Sequence, residues 1–212
     1  MSLRPLFVLC LVALLGLVSA CTSTVEAPAE EAGADAAETE TAQVEAPVSG
    51  VTAYWEMYEL AFQWSSDLQP LWLRSGTVEA PAESADSQGL APVWTAMFVS
   101  PSKREAREFT YRAVGEGMQR KGVSAKGAQA WSGPTDKGEP FSMGDVQLDS
   151  SEALAKAQPE AESWLKSHAD AIPSFYLGKE SRFPDPVWAV LWGPEGTGRL
   201  VIVNAKTGEI DK

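Results

Sequence analysis

Hydrophobic and polar positions change their rhythm several times along this chain of 212 residues. From Leu6 to Val18 nearly every residue is apolar, and Arg4 is the only charge before Glu26. A run this short falls below the roughly 20 residues of a comfortable membrane span. With its basic start and small-residue end it has the pattern of an export leader, 1–20. From Thr22 to Ser49 the pattern vanishes: no aromatic residue, no Lys or Arg, and seven acids spread among Ala, Thr, Pro and Val. Such a stretch cannot bury enough apolar area to offset the entropy of ordering it, so 21–49 is expected to be a disordered acidic tether. From Gly50 onward the pattern becomes periodic. Val51 to Ser66 carries Tyr54, Tyr58, Ala61 and Phe62 at helical spacing, with Trp55 beside them and Pro70 as the stop. Asp149-Ser150-Ser151-Glu152 reads as a capped helix start. Ala153, Leu154, Ala157, Ala161, Trp164 and Leu165 follow it at mostly three-four spacing. Pro159 is expected to kink or restart that helix, and Pro173 to close it.

The strands alternate and come twice. Pro92-Val93-Trp94 opens a run in which Trp94, Ala96 and Phe98 share one face. Pro186-Val187-Trp188 opens another, in which Trp188, Val190 and Trp192 do the same. Each ends at a proline turn and leads into a second strand, Arg107 to Ala113 and Arg199 to Ala205. Each is preceded by a helical stretch and a short apolar run, Pro70 to Val78 and Pro173 to Phe183. In the last strand Val201 and Val203 face away from Leu200 and Ile202, before a turn at Lys206-Thr207-Gly208. The predicted fold class is α+β: two tandem copies of a helix packed on a three-stranded antiparallel meander, 50–146 and 147–212. Whether the copies form one sheet or two is open at this point.

Leu17-Val18-Ser19-Ala20-Cys21 resembles the lipobox of bacterial lipoprotein signal peptides. That resemblance implies cleavage before Cys21, acylation of its thiol with palmitate-type chains, and anchoring in a bilayer. An ordinary secretory leader cut after Ala20, or an uncleaved anchor, is the competing reading. More than one acyl chain, at about 0.8 kcal/mol per buried methylene, makes an anchor stable. Thr22 after the cysteine, by the same resemblance, implies the outer membrane facing the periplasm if the cell has two membranes. Cys10 leaves with the leader, so no thiol remains for a disulfide, a nucleophile or a zinc site.

The final strand and turn, Val201 to Ile210, with the Trp188-Ala189-Val190 strand before it, resemble PepSY-type domains. That family packs a helix on a small antiparallel sheet, is often duplicated, and occurs in extracytoplasmic proteins and protease propeptides. It brings no catalytic residues. What it implies is binding, inhibition or modulation of envelope proteins.

Charge and chemistry narrow the field further. The net charge is −12, and the tether carries seven of the negative charges. Nucleic acid is not an expected partner, because phosphate binding needs a basic patch. His168 is the single histidine and is expected near the end of the second helix as a surface or capping residue. No metal or cofactor is expected. Glu105 and Glu108, interleaved with Lys103, Arg104 and Arg107, read as a mixed-charge turn and edge strand. Gly115-Glu116-Gly117 reads as a loop. Eight tryptophans are the surplus, and most are expected in the core. Trp72 and Trp131 are the candidates for ligand or partner contact, Trp131 being the better placed for exposure among Gly, Pro, Lys and Asp. The expected role is non-catalytic: a lipid-anchored cell-envelope protein that binds and modulates another envelope protein. The alternative is a glycan or small-ligand binding module using exposed tryptophans, and a hydrolase is the third class.

Overall fold

Small residues at three-four spacing decide where both helices sit. The computed structural model describes residues 46–76, 88–115, 118, 120–136 and 138–211, all within the compact unit Gln43–Lys212. The leader, Cys21 and the tether through Glu45 lie outside the described residues, as do Glu116 and Gly117. Helix α1 (Gly50–Trp64) starts at Ser49, whose hydroxyl accepts from the Thr52 N–H. It buries Gly50, Ala53, Tyr54, Met57 and Ala61. Helix α2 (Ser150–Leu165) starts at Asp149 with the expected capping box, in which the Glu152 carboxylate accepts from the Asp149 N–H at 2.8 Å. It buries Ser150, Ala153, Leu154, Ala157 and Ala161. The buried stripes match position for position, and their alanines let each helix axis approach the sheet closely.

Proline sets none of the expected boundaries, and α2 ends at Leu165, well ahead of Pro173, which opens a strand. Helix α2 runs unbroken through Pro159. Pro159 and Ala155, whose carbonyl loses its intrahelical donor, are both exposed, so water can satisfy that carbonyl. Helix α1 stops at Ser65, well before Pro70, which belongs to a strand. The stop is built around Asp67. Its carboxylate accepts from Ser65 Oγ at 2.6 Å, Ser100 Oγ at 2.7 Å and the Ser102 N–H at 2.8 Å.

The three donors hold the Asp67 carboxyl well below the usual carboxylate range. A depressed pKa in the folded state contributes stability that is present above the ordinary aspartate value of about 3.9 and is lost as pH falls below it. The native chain is therefore expected to lose more stability than Asp67→Asn between about pH 5 and about pH 2. Urea unfolding at stepped pH measures this, and parallel curves for the two proteins would refute it.

The strands are β1 (Gln69–Gly76), β2 (Val93–Ser100), β3 (Glu105–Arg112), β4 (Gly122–Ala125), β5 (Gln129–Ala130), β6 (Pro173–Gly178), β7 (Val187–Trp192), β8 (Arg199–Asn204) and β9 (Ile210–Asp211). They form one antiparallel sheet in the order β4-β3-β2-β1-β6-β7-β8-β9, with β5 beside β4 on β3. The seam is β1 against β6, with Leu73 opposite Leu177 and Arg74 opposite Tyr176. Residues 50–146 and 147–212 therefore share one sheet. Strand β3 is not the expected edge: the chain returns as β4 and β5 and covers it. No helix among the described residues is long and apolar enough to cross a membrane.

Both helices lie on one face of this sheet. Beneath them Trp94 and Trp188 are fully buried and meet edge to face, their ring centroids 6.3 Å apart. Trp94 Nε1–H donates to the Val48 carbonyl and Trp188 Nε1–H to the Leu148 carbonyl, each at 2.9 Å. The backbone repeats the match. The Ala113 N–H donates to Pro92 O, and the Ala205 N–H donates to Pro186 O. Every strand face expected to be apolar points here: Trp94, Ala96 and Phe98, then Trp188, Val190 and Trp192, then Val201 and Val203.

Candidate functional site

Among the described residues, no α-helix covers the opposite face of the sheet. Its covering is the segment between β4 and the short 3₁₀ turn Met143–Asp145. An irregularity in β1 prepares it. Pro70 pairs with Phe98 and Trp72 with Met97, so Leu71 is an extra residue. Such a bulge re-aims side chains. Here Leu71 and Trp72 both pack on this outer face, beside buried Met97, Val99 and Ala106. Trp131 lies on the same cluster, tied down by its N–H to the Arg104 carbonyl at 2.9 Å. The segment then turns at Thr135 and Gly138, whose backbones bond each other, and returns through Glu139 N–H to Lys179 O and Phe141 N–H to Pro70 O.

Between this segment and the seam lies a concavity of about 480 Å³. Trp72, Trp131, Arg74 and Tyr176 form its main walls, with Thr135 and Gly138 at the turn. The sequence offered Trp72 and Trp131 as separate candidates, and the fold brings them into one site. Trp131 is half-buried rather than fully exposed, because the apolar patch of Met97, Val99 and Ala106 lies beneath its turn. Arg74 and Tyr176 were not anticipated. They meet only because β1 and β6 pair, which no local pattern encodes. The Arg74 guanidinium sits 4.7 Å from the centre of the Trp72 ring. The Tyr176 ring lies over Gly178: a Cβ there would stand 2.6 Å from its Cε1. Burial, reinforced by Glu180 and opposed by Arg74, raises the Tyr176 pKa, so its hydroxyl stays protonated at neutral pH.

Helix α1 presents a second surface. Trp55 and Phe62 are 51% and 49% exposed. The periodicity had placed Phe62 inward. The small residues Gly50, Ala53 and Ala61 seat the helix against the sheet instead and turn Phe62 outward. Trp55, Tyr58 and Phe62 form a ladder with centroid spacings of 5.4 and 5.9 Å. A cavity of about 530 Å³ adjoins it, lined by Tyr54, Trp55, Tyr58, Phe141 and four prolines.

The remaining candidates do not converge. His168 is exposed, stacks on Trp164 at 3.8 Å, and lies within hydrogen-bond distance of the Trp164 carbonyl and Ser167 Oγ. Glu108 is bound to Lys126 at 2.6 Å and more loosely to Arg74 at 3.8 Å. Among the described residues no three of His, Cys, Asp and Glu are grouped to hold a metal ion.

No protein-family model matches the chain, and no curated protein matches it. Among solved structures, "a putative lipoprotein" from Clostridium difficile 630 is similar to this chain at 11% identity and a TM-score of 0.45, over 76% of this chain and 90% of that one. A likeness that low decides neither fold nor role.

Proposed function

We propose that this chain is a lipid-anchored envelope protein, acylated at Cys21, that binds and modulates another protein of the envelope without catalysis. The folded unit is then a pair of PepSY-like copies joined through β1 and β6. The matched buried stripes of α1 and α2 and the paired tryptophan hydrogen bonds support that reading. The anchor rests on the lipobox, and the outer membrane on Thr22. The observation that carries the binding role is the exposure of Trp55 and Phe62, joined by half-buried Tyr58 into one aromatic ladder. Exposed aromatic residues grouped on one helix are typical anchors of protein interfaces.

The test is photocrosslinking in cells from position 59, between the ladder rungs, followed by mass spectrometry. One dominant envelope protein is expected, captured from the Cys21-anchored chain and lost on Trp55→Ser with Phe62→Ser. Diffuse crosslinks that the double variant leaves unchanged would overturn the role. The Trp72–Trp131 concavity favours a second reading, a glycan or small-ligand module, because both tryptophans wall one cavity of ligand size.

A further inference from the structure

The charges bordering the Trp72–Trp131 concavity are unevenly matched. Glu108 is taken by Lys126 at 2.6 Å, Glu180 by Arg182 at 2.8 Å, and Glu139 by Lys179 at 3.5 Å. The Arg74 guanidinium is left with the distant Glu108 contact at 3.8 Å, while the Arg74 backbone belongs to the β1 ladder. The Arg74 side chain is 55% exposed, yet its guanidinium is held over the Trp72 ring. A planar fork laid against an aromatic ring, with no hydrogen-bonded carboxylate of its own, suits a carboxylate, which it can meet with two parallel hydrogen bonds. Beside it stand two indoles and a phenol, the flat faces on which sugar rings stack. The volume, about 480 Å³, lies within the range of small-ligand sites.

We propose that this concavity binds a carboxylate-bearing sugar, with Arg74 taking the carboxylate and Trp72, Trp131 and Tyr176 taking the ring faces. The proposal rests on the second reading above. Neutral glycans gain only the stacking surface. An acidic sugar gains the charge-assisted pair as well, which at an otherwise matched site is worth about tenfold or more in affinity.

The experiment is calorimetric titration of the mature chain carrying Cys21→Ser. The probes are a uronic-acid disaccharide, a muramic-acid disaccharide and the neutral N-acetylglucosamine disaccharide. At least one acidic disaccharide is expected to bind about tenfold tighter than the neutral one, and Arg74→Gln to abolish that difference. Whichever acidic sugar binds names the source, exopolysaccharide or cell wall. Equal binding of acidic and neutral sugars would overturn the carboxylate assignment while leaving the tryptophan module standing. Binding of none would overturn both. Gly178→Ala locates the site independently. The added methyl displaces the Tyr176 ring, so it should weaken every sugar that binds, and unchanged affinity would place the ligand elsewhere.

Discussion

Replacing Trp188 with alanine is expected to lower folding stability by about 3–5 kcal/mol. Three consequences combine. The cavity opens at the point where the two halves of the core meet, because Trp188 is fully buried and packs edge to face on Trp94. The Leu148 carbonyl loses the indole donor at 2.9 Å just ahead of α2. The site also cannot collapse easily, because Gly50 already lies against both indoles: a Cβ there would sit 2.6 Å from Trp188 Cη2 and 3.1 Å from Trp94 Cη2. A loss of this size is a large part of the roughly 5–15 kcal/mol that holds a typical domain together. Urea unfolding followed by far-ultraviolet circular dichroism measures it. Trp55→Ala is the control, since half-exposed Trp55 should cost less than about 1 kcal/mol. Equal losses at the two positions would show that the indole pair does not organise the core.

The same tryptophans explain how much of the fold could be read in advance. The repeated Pro-Val-Trp starts and the alternation after them gave the strand faces, because a half-buried strand must alternate whatever lies around it. Asp149 with Glu152 gave the start of α2, because capping is local chemistry. What depends on pairing across the chain was not visible. The β1–β6 seam makes one sheet of two stretches, and no residue in either strand specifies the other as its partner. Strand β3 looked like an edge because its cover, β4 and β5, consists of short strands with weak alternation. The face of α1 was misjudged at Phe62, since five aromatic residues crowd one helix and only close packing against the sheet decides which turn inward. The candidate site divides in the same way. Trp72 and Trp131 stood out by composition and setting; Arg74 follows from Trp72 by strand alternation, whereas Tyr176 joins them only through register.

Asp149→Ala is expected to lower stability by about 2–3 kcal/mol, more than an ordinary lost N-cap at about 1 kcal/mol, because Asp149 serves two helices. Its Oδ1 accepts from the Ser150 N–H at 2.6 Å at the start of its own helix. The same atom accepts from the Val51 N–H of α1 at 2.9 Å. Next to it the Gly50 N–H donates to Ser150 Oγ, which in turn donates to the Gly89 carbonyl at 2.6 Å. The two helix N-termini thus meet over the Trp94–Trp188 pair, and their positive dipole ends face one carboxylate. A single negative charge offsets the repulsion between them and satisfies orphan donors of both. Amide hydrogen exchange separates this arrangement from a simple cap. With Asp149→Ala, the first-turn amides of α1 and α2 should exchange faster together, although the substitution lies in only one of the two segments. Faster exchange confined to α2 would mean that Asp149 caps its own helix alone, and the loss should then fall to about 1 kcal/mol. Asp149→Ser distinguishes the contributions further. Serine can cap α2, but its shorter side chain, without the charge, should hold α1 less well. Its cost is expected to lie between those of the native chain and the alanine variant.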